Sequence, residues 1–120
     1  MISPTGKGIR VDSEGDGNYG SRRAGKRHNG IDYLCNKGAD IVAPFRMFLE
    51  RVSYPKRNSS LSGIAWKTGK SSGRMWYFSP KLSLLNTWVK QGEIIGQAQS
   101  VSYDYNLPNM KDHVHFQINK

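Results

Sequence analysis

IAWKTGKSSGRMWYFS, residues 64 to 79, reads as two short aromatic strands joined by the Gly-Lys-Ser-Ser-Gly run at 69 to 73. Apolar, aromatic stretches on either side of a Gly- and Ser-rich connection mark a hairpin, so the two strands pair. The connection lacks the spacing of a phosphate-binding loop and is a turn. Upstream, NSSLSG (58–63) is another turn. Before it, ADIVAPFRMFLERVSY (39–54) is β-branched early and loosely alternating later. Pro44 would break a helix there, so this stretch predicts one or two strands around the proline. Downstream, VKQGEIIGQAQS (89–100) gives a turn at Gln91-Gly92 and a strand from Glu93, YDYNLPNMKD (103–112) reads as a loop, and HVHFQIN (113–119) is the last strand. Many short strands with turn signals and no convincing amphipathic helix predict a mostly β, antiparallel domain with few or no helices.

A chain of 120 residues makes one domain, 1–120, with a single modest core. Residues 1–27 show no apolar period and read as an irregular lead-in, of which 1–16 are expected to be loosely ordered. Eighteen Lys and Arg against nine Asp and Glu give a formal charge of +9, a surface that concentrates polyanions. Trp66, Trp76, Tyr77 and Trp88 lie in apolar strands and are read as core, and the cations are scattered, so no specific nucleic-acid partner is expected. The lone Cys35 excludes an internal disulfide and a CxxC zinc knuckle. No basic leader with an apolar stretch is visible, and no segment approaches the ~20 apolar residues of a membrane span. The expectation is a monomer made in the cytoplasm.

The last strand also carries chemistry. Side chains alternate across a strand, so His113 and His115 share one face while Val114 and Phe116 take the other. The third histidine opens HNGID, where Asp32 follows His28 by four residues. Gly30 argues for a turn into a strand, in which both side chains can reach one ion. Two imidazoles, one carboxylate and an open position form the ligand set of a catalytic zinc site. Harder ions would want more oxygen donors. The ligands are then His28, Asp32 and one of the C-terminal pair, the other histidine standing near the activated water. The residues alone leave open which of the pair does which. Asp104 and Asp112 read as solvated loop acids, with Asp112 placed to orient a nearby imidazole.

HNGIDYLCNKGADIVAPF (28–45) and DHVHFQI (112–118), with WVKQGEIIGQ (88–97) between them, resemble the lysostaphin/LytM-type zinc metallopeptidases. YGSR (19–22) is similar to the approach that precedes their HxxxD motif. The resemblance covers residues 17–119. It implies an antiparallel β-sheet groove, one zinc ion held by His28, Asp32 and His115, and His113 as catalytic histidine. It also implies hydrolysis of the peptide cross-links or stems of bacterial peptidoglycan, with anionic cell-wall polymers as further partners. Arg22 and Asn18, in the approach to the first motif, are the candidates for substrate contact. A signal-free basic domain of this kind is what a phage or bacterial lysis enzyme looks like, acting at the cell wall or periplasm after release, or carried on a virion.

One departure bears on activity. Family enzymes carry a second catalytic histidine in a Tyr-x-His-Leu stretch, where this chain has WYFSP and Ser79 takes the histidine's place. A serine donates a hydrogen bond but carries no charge, and loss of one such donor elsewhere reduces rates by roughly 10²–10³. Tyr77 and Ser79 are the residues left to stabilise the intermediate. The same pattern resembles the chemotaxin branch of the family, whose member keeps the zinc site and acts by binding. The alternative expectation is therefore a zinc-containing binding module with little or no hydrolysis.

Overall fold

The hairpin of residues 64–79 lies at the centre of the sheet that carries the histidines. The computed structural model describes residues 1–12, 15–18, 22–23, 26–27, 30–107 and 109–119. Within them run β1 (Val11–Asp12), β2 (Gly15–Asp16), β3 (Arg22–Arg23), β4 (Lys26–Arg27), β5 (Ile31–Leu34), β6 (Asp40–Val42), β7 (Met47–Ser53), β8 (Gly63–Lys67), β9 (Ser72–Trp76), β10 (Phe78–Pro80), β11 (Trp88–Val89), β12 (Ile94–Ala98), helix α1 (Val101–Tyr105) and β13 (His113–Ile118). A six-stranded antiparallel sheet has the order β11-β7-β8-β9-β13-β5, and a smaller sheet the order β10-β12-β6. The chain is thus mostly antiparallel β, with one five-residue α-helix among the described residues.

Alternation along each strand separates the two faces of the large sheet. Leu49, Ile64, Trp66, Met75, Val114 and Phe116 point one way and meet Ile41, Phe78, Ile95 and Ala98 of the small sheet. Trp66, fully buried, stacks on Phe116 at 5.4 Å, and Phe45 closes edge-on against both rings. The residues between those core positions, Trp76 on β9 and His113 and His115 on β13, face the other side. Trp66→Ala removes the largest buried side chain of the interface between the sheets. It should destabilise the protein by about 3–5 kcal/mol in chemical denaturation, a large share of the ~5–15 kcal/mol that such a domain has in total.

The first ten residues are tied to the body. The Ile2 N–H donates to the Pro44 carbonyl, the Val42 N–H to Pro4, and the Leu34 N–H to Gly8. The Arg10 N–H donates to the Asp32 carbonyl at 2.8 Å. Residues 8–10 thereby run along β5 and cover what would otherwise be the open edge of the large sheet. The sequence gives little warning of this, because edge pairing satisfies backbone groups whatever the side chains are. Helix α1 overlaps the start of the stretch read as a loop, 103–112. Its first turn is held by Asp112, whose Oδ1 accepts from the Val101 N–H at 2.8 Å and the Ser102 N–H at 3.1 Å. A cap supplied from so far along the chain leaves no local signature. It also commits Asp112 to the helix.

Candidate metal and catalytic site

β5 and β13 pair with His115 opposite Asp32 and His113 opposite Leu34. Both histidines are nearly buried, and Asp32 is 1% exposed. His115 Nδ1 lies 2.9 Å from Asp32 Oδ1. On the far side of the imidazole, Nε2 lies 3.1 Å from Gln117 Oε1, while the Gln117 amide NH₂ donates to Asn119 Oδ1. Gln117 therefore presents its oxygen, which only accepts, so His115 carries a proton on Nε2. Its Nδ1 lone pair then faces a carboxylate oxygen. Two acceptors at that separation suit a metal ion between them.

His113 is set the opposite way. Its Nδ1 donates to the Lys111 carbonyl at 2.8 Å, which turns Nε2 toward Asp32 Oδ2, 3.6 Å away. Each ring thus shows a different nitrogen to one carboxylate. Trp76, opposite His115 across the β9–β13 pair, stacks on it at 5.4 Å and donates its indole N–H to Ser53 Oγ. Tyr77 meets His113 edge-on at 5.2 Å, and its hydroxyl lies 3.1 Å from that of Tyr105 on α1. Its φ of 83° is uncommon for a side chain of this size, and such backbone strain collects at functional sites. The Tyr77 N–H donating to Ser62 O and the Gln99 N–H donating to Tyr77 O hold the backbone in that conformation.

Two glycines let the backbone close on the pair. A Cβ at Gly30 would lie 2.6 Å from His115 Cε1, so the backbone at Gly30 lies directly against the imidazole. A Cβ at Gly17 would lie 2.8 Å from the Asp32 Cβ. The Gly17 N–H donates to Arg10 O, and the Asp32 N–H to Gly17 O. Arg10 itself is wholly buried, with Nη2 3.4 Å from Asp32 Oδ2.

Of the residues singled out in the sequence, Asp32, His113, His115 and Tyr77 come together. Ser79 does not join them. It lies exposed on β10 in the smaller sheet, paired with Gln97, and shares no hydrogen bond with either histidine. Asn18 is exposed and follows Gly17, the residue that touches Asp32. Arg22 lies on β3 opposite Arg27, its side chain outside what the structure describes. His28 is outside the described residues. Arg10, Gln117 and Trp76 were not singled out for the site. Trp76 and Gln117 had a usable signal, since strand parity puts Trp76 on the face opposite Met75 and Gln117 on the face of His113 and His115.

Among the described residues no group of three or more His, Cys, Asp or Glu side chains is arranged to hold a metal ion. The two donors present do suit one. Zinc bonds of about 2.0–2.1 Å hold tetrahedral donors about 3.3 Å apart, slightly wider than the 2.9 Å between Asp32 Oδ1 and His115 Nδ1. The third donor would come from His28, two residues before the glycine that packs on His115.

Cys35, at the end of β5, stands outside this chemistry. Burial first, and the Asp112 charge second, push its thiol up to about 12, against a smaller opposing effect of Lys7. The unfolded chain therefore gives up this proton first. The contribution is neutral below the ordinary value of 9.0, and stability is lost as pH rises from there toward 12. At pH 8 iodoacetamide should label native Cys35 at least about a hundredfold more slowly than the denatured chain. Equal rates would contradict the buried placement.

The fold is lysostaphin-like and mostly antiparallel β. In structure it is similar to the catalytic domain of the antimicrobial peptidase lysostaphin from Staphylococcus simulans, with a TM-score of 0.57 and 23% identity over 90% of this chain and 78% of that one. In sequence it is similar to leukocyte cell-derived chemotaxin-2 of Bos taurus, 28% identical over 108 residues, 88% of this chain and 69% of the relative. The same protein of Mus musculus is 28% identical over 106 residues, 87% and 68% of the two chains. No protein-family model matches the chain. The resemblance read from the two histidine motifs is thus met from the side of structure and of sequence.

Proposed function

We propose that the chain is a zinc-dependent endopeptidase that cleaves the peptide cross-links or stems of bacterial peptidoglycan. The observation that carries this reading is the pair of acceptors, Asp32 Oδ1 and His115 Nδ1, turned toward each other at 2.9 Å. His28 completes the ligand set. A zinc ion held by these residues would supply a Lewis acid for the scissile carbonyl and would acidify a water. His113, with Nδ1–H fixed on the Lys111 carbonyl, offers Nε2 to take a proton from the attacking water and return it to the leaving amine. Tyr77, whose ring meets His113 edge-on at 5.2 Å, is the candidate donor to the developing oxyanion. The +9 charge favours approach to anionic cell-wall polymers. No described helix is long and apolar enough to cross a membrane.

A second reading is a metal-stabilised binding module. It is favoured by the Tyr77–Tyr105 hydroxyl contact, which engages the hydroxyl offered as oxyanion donor, and by the similarity to chemotaxin-2. Digestion of purified peptidoglycan separates the two. Metal-replete protein should release free amino groups, and chelation should stop the release. Intact peptidoglycan in the presence of zinc-loaded protein would favour the binding module.

A further inference from the structure

Arg10 is the most buried charge in the described molecule, and nothing in the proposed reaction uses it. Its side chain is 0% exposed, and its guanidinium faces Asp32 Oδ2 at 3.4 Å, the oxygen that is not turned to His115 Nδ1. Its backbone is fixed to the same residue. The Arg10 N–H donates to Asp32 O, the Gly17 N–H to Arg10 O and the Asp32 N–H to Gly17 O, all between 2.7 and 2.8 Å. Gly17 sits so close to both that any side chain there would strike Asp32 Cβ or the Arg10 carbonyl. The guanidinium is thus delivered to Asp32 by a backbone ladder rather than by a flexible stem.

We infer that Arg10 is a positioning residue whose guanidinium is the fixed counter-charge of Asp32 and keeps the site assembled before any metal arrives. The inference rests on the zinc reading for its metal arm and on geometry alone for the rest. A carboxylate 1% exposed needs a cation beside it. Arginine remains charged at every pH at which the protein is folded, so the Asp32 carboxylate has its counter-charge in the metal-free protein. Because Arg10 holds Oδ2, Oδ1 is left as the single oxygen toward His115. A resident positive charge also repels an incoming dication, so Arg10 trades metal affinity for a preformed site. Small metal sites lacking such a charge couple folding tightly to metal binding. This one should be folded without it.

The test is a thermal-unfolding cycle on the whole chain, in chelator and in zinc, for wild type, Arg10→Met, Arg10→Lys, Asp32→Asn and the Arg10→Met/Asp32→Asn double variant. Wild type should remain folded in chelator. Arg10→Met should lower the metal-free Tm by about 10 °C or more, and Arg10→Lys by clearly less. In the Asp32→Asn background the same Arg10→Met change should have little effect, because no charge is left to balance. Zinc should raise the Tm of Arg10→Met more than that of wild type, and its zinc affinity should be several times tighter, a change that a purely structural arginine would not give. Equal losses from Arg10→Met with and without the Asp32 carboxylate would overturn the inference. So would a wild-type chain that unfolds in chelator, weaker zinc binding by Arg10→Met, or failure of Arg10→Met to fold in zinc and in the Asp32→Asn background alike. If wild type retains no zinc, the zinc reading falls while the metal-free cycle still decides whether Arg10 acts through Asp32.

Discussion

Asp32→Ala should leave the protein without tightly bound zinc and destabilise it by about 3–5 kcal/mol. Both effects come from one carboxylate. Oδ1 faces His115 Nδ1 across 2.9 Å, so its loss removes a metal donor and the acceptor that orients the imidazole. Oδ2 faces the buried guanidinium of Arg10, so its loss also takes a counter-charge from a site that water does not reach. Removing one partner of a buried ion pair is far more damaging than removing both, because the remaining charge keeps its desolvation penalty. Elemental analysis after dialysis and urea unfolding measure the two effects. A variant that holds one zinc per chain with unchanged stability would remove Asp32 from the site.

His113→Ala should behave in the opposite way. It leaves Asp32, His115 and His28 in place, so one zinc per chain should still be retained. Release of amino groups from peptidoglycan should fall by about 10²–10⁴, the usual contribution of a positioned general base. The contrast follows from the rings' orientations. His115 gives Nδ1 to the carboxylate and anchors Nε2 on Gln117, whereas His113 anchors Nδ1 on the Lys111 carbonyl and points Nε2 inward. Metal lost together with activity in His113→Ala would mean that the two histidines have been given each other's roles.

Strands β6 to β9, β12 and β13 were legible because alternation and turn chemistry are local, whereas β1 to β4 lie in the lead-in read as irregular. The hairpin of β8 and β9, the break around Pro44, the turn at Gln91-Gly92 and the final strand all follow from residue types within a few positions of each other. The shared face of His113 and His115 followed from parity alone. What escaped depends on partners distant in sequence. Arg10, between Ile9 and Val11, looks like a surface cation until the backbone ladder through Gly17 carries it to Asp32. Asp112 caps a helix that starts eleven residues earlier in the chain, so no local pattern announces α1.

Ser79 and Tyr77 show where parity fails. As i and i+2 of one strand they would share a face. The left-handed backbone at Tyr77, φ 83°, ends β9 and sends the chain into the smaller sheet. Tyr77 stays with the histidines while Ser79 leaves with β10. A strained residue of this kind cannot be read from its side chain, because the surrounding packing imposes the conformation.

The central claim is that Asp32 and His115, joined by His28, hold a single zinc ion. X-ray absorption at the zinc edge on the metal-replete protein tests it most directly. The account predicts one zinc per chain with two imidazole nitrogens and one carboxylate oxygen at about 2.0–2.1 Å and a light-atom fourth ligand. It also predicts loss of one imidazole from that shell in His115→Ala, with the shell intact in His113→Ala. A protein that retains no zinc, or a shell unchanged when His115 is replaced, would contradict it.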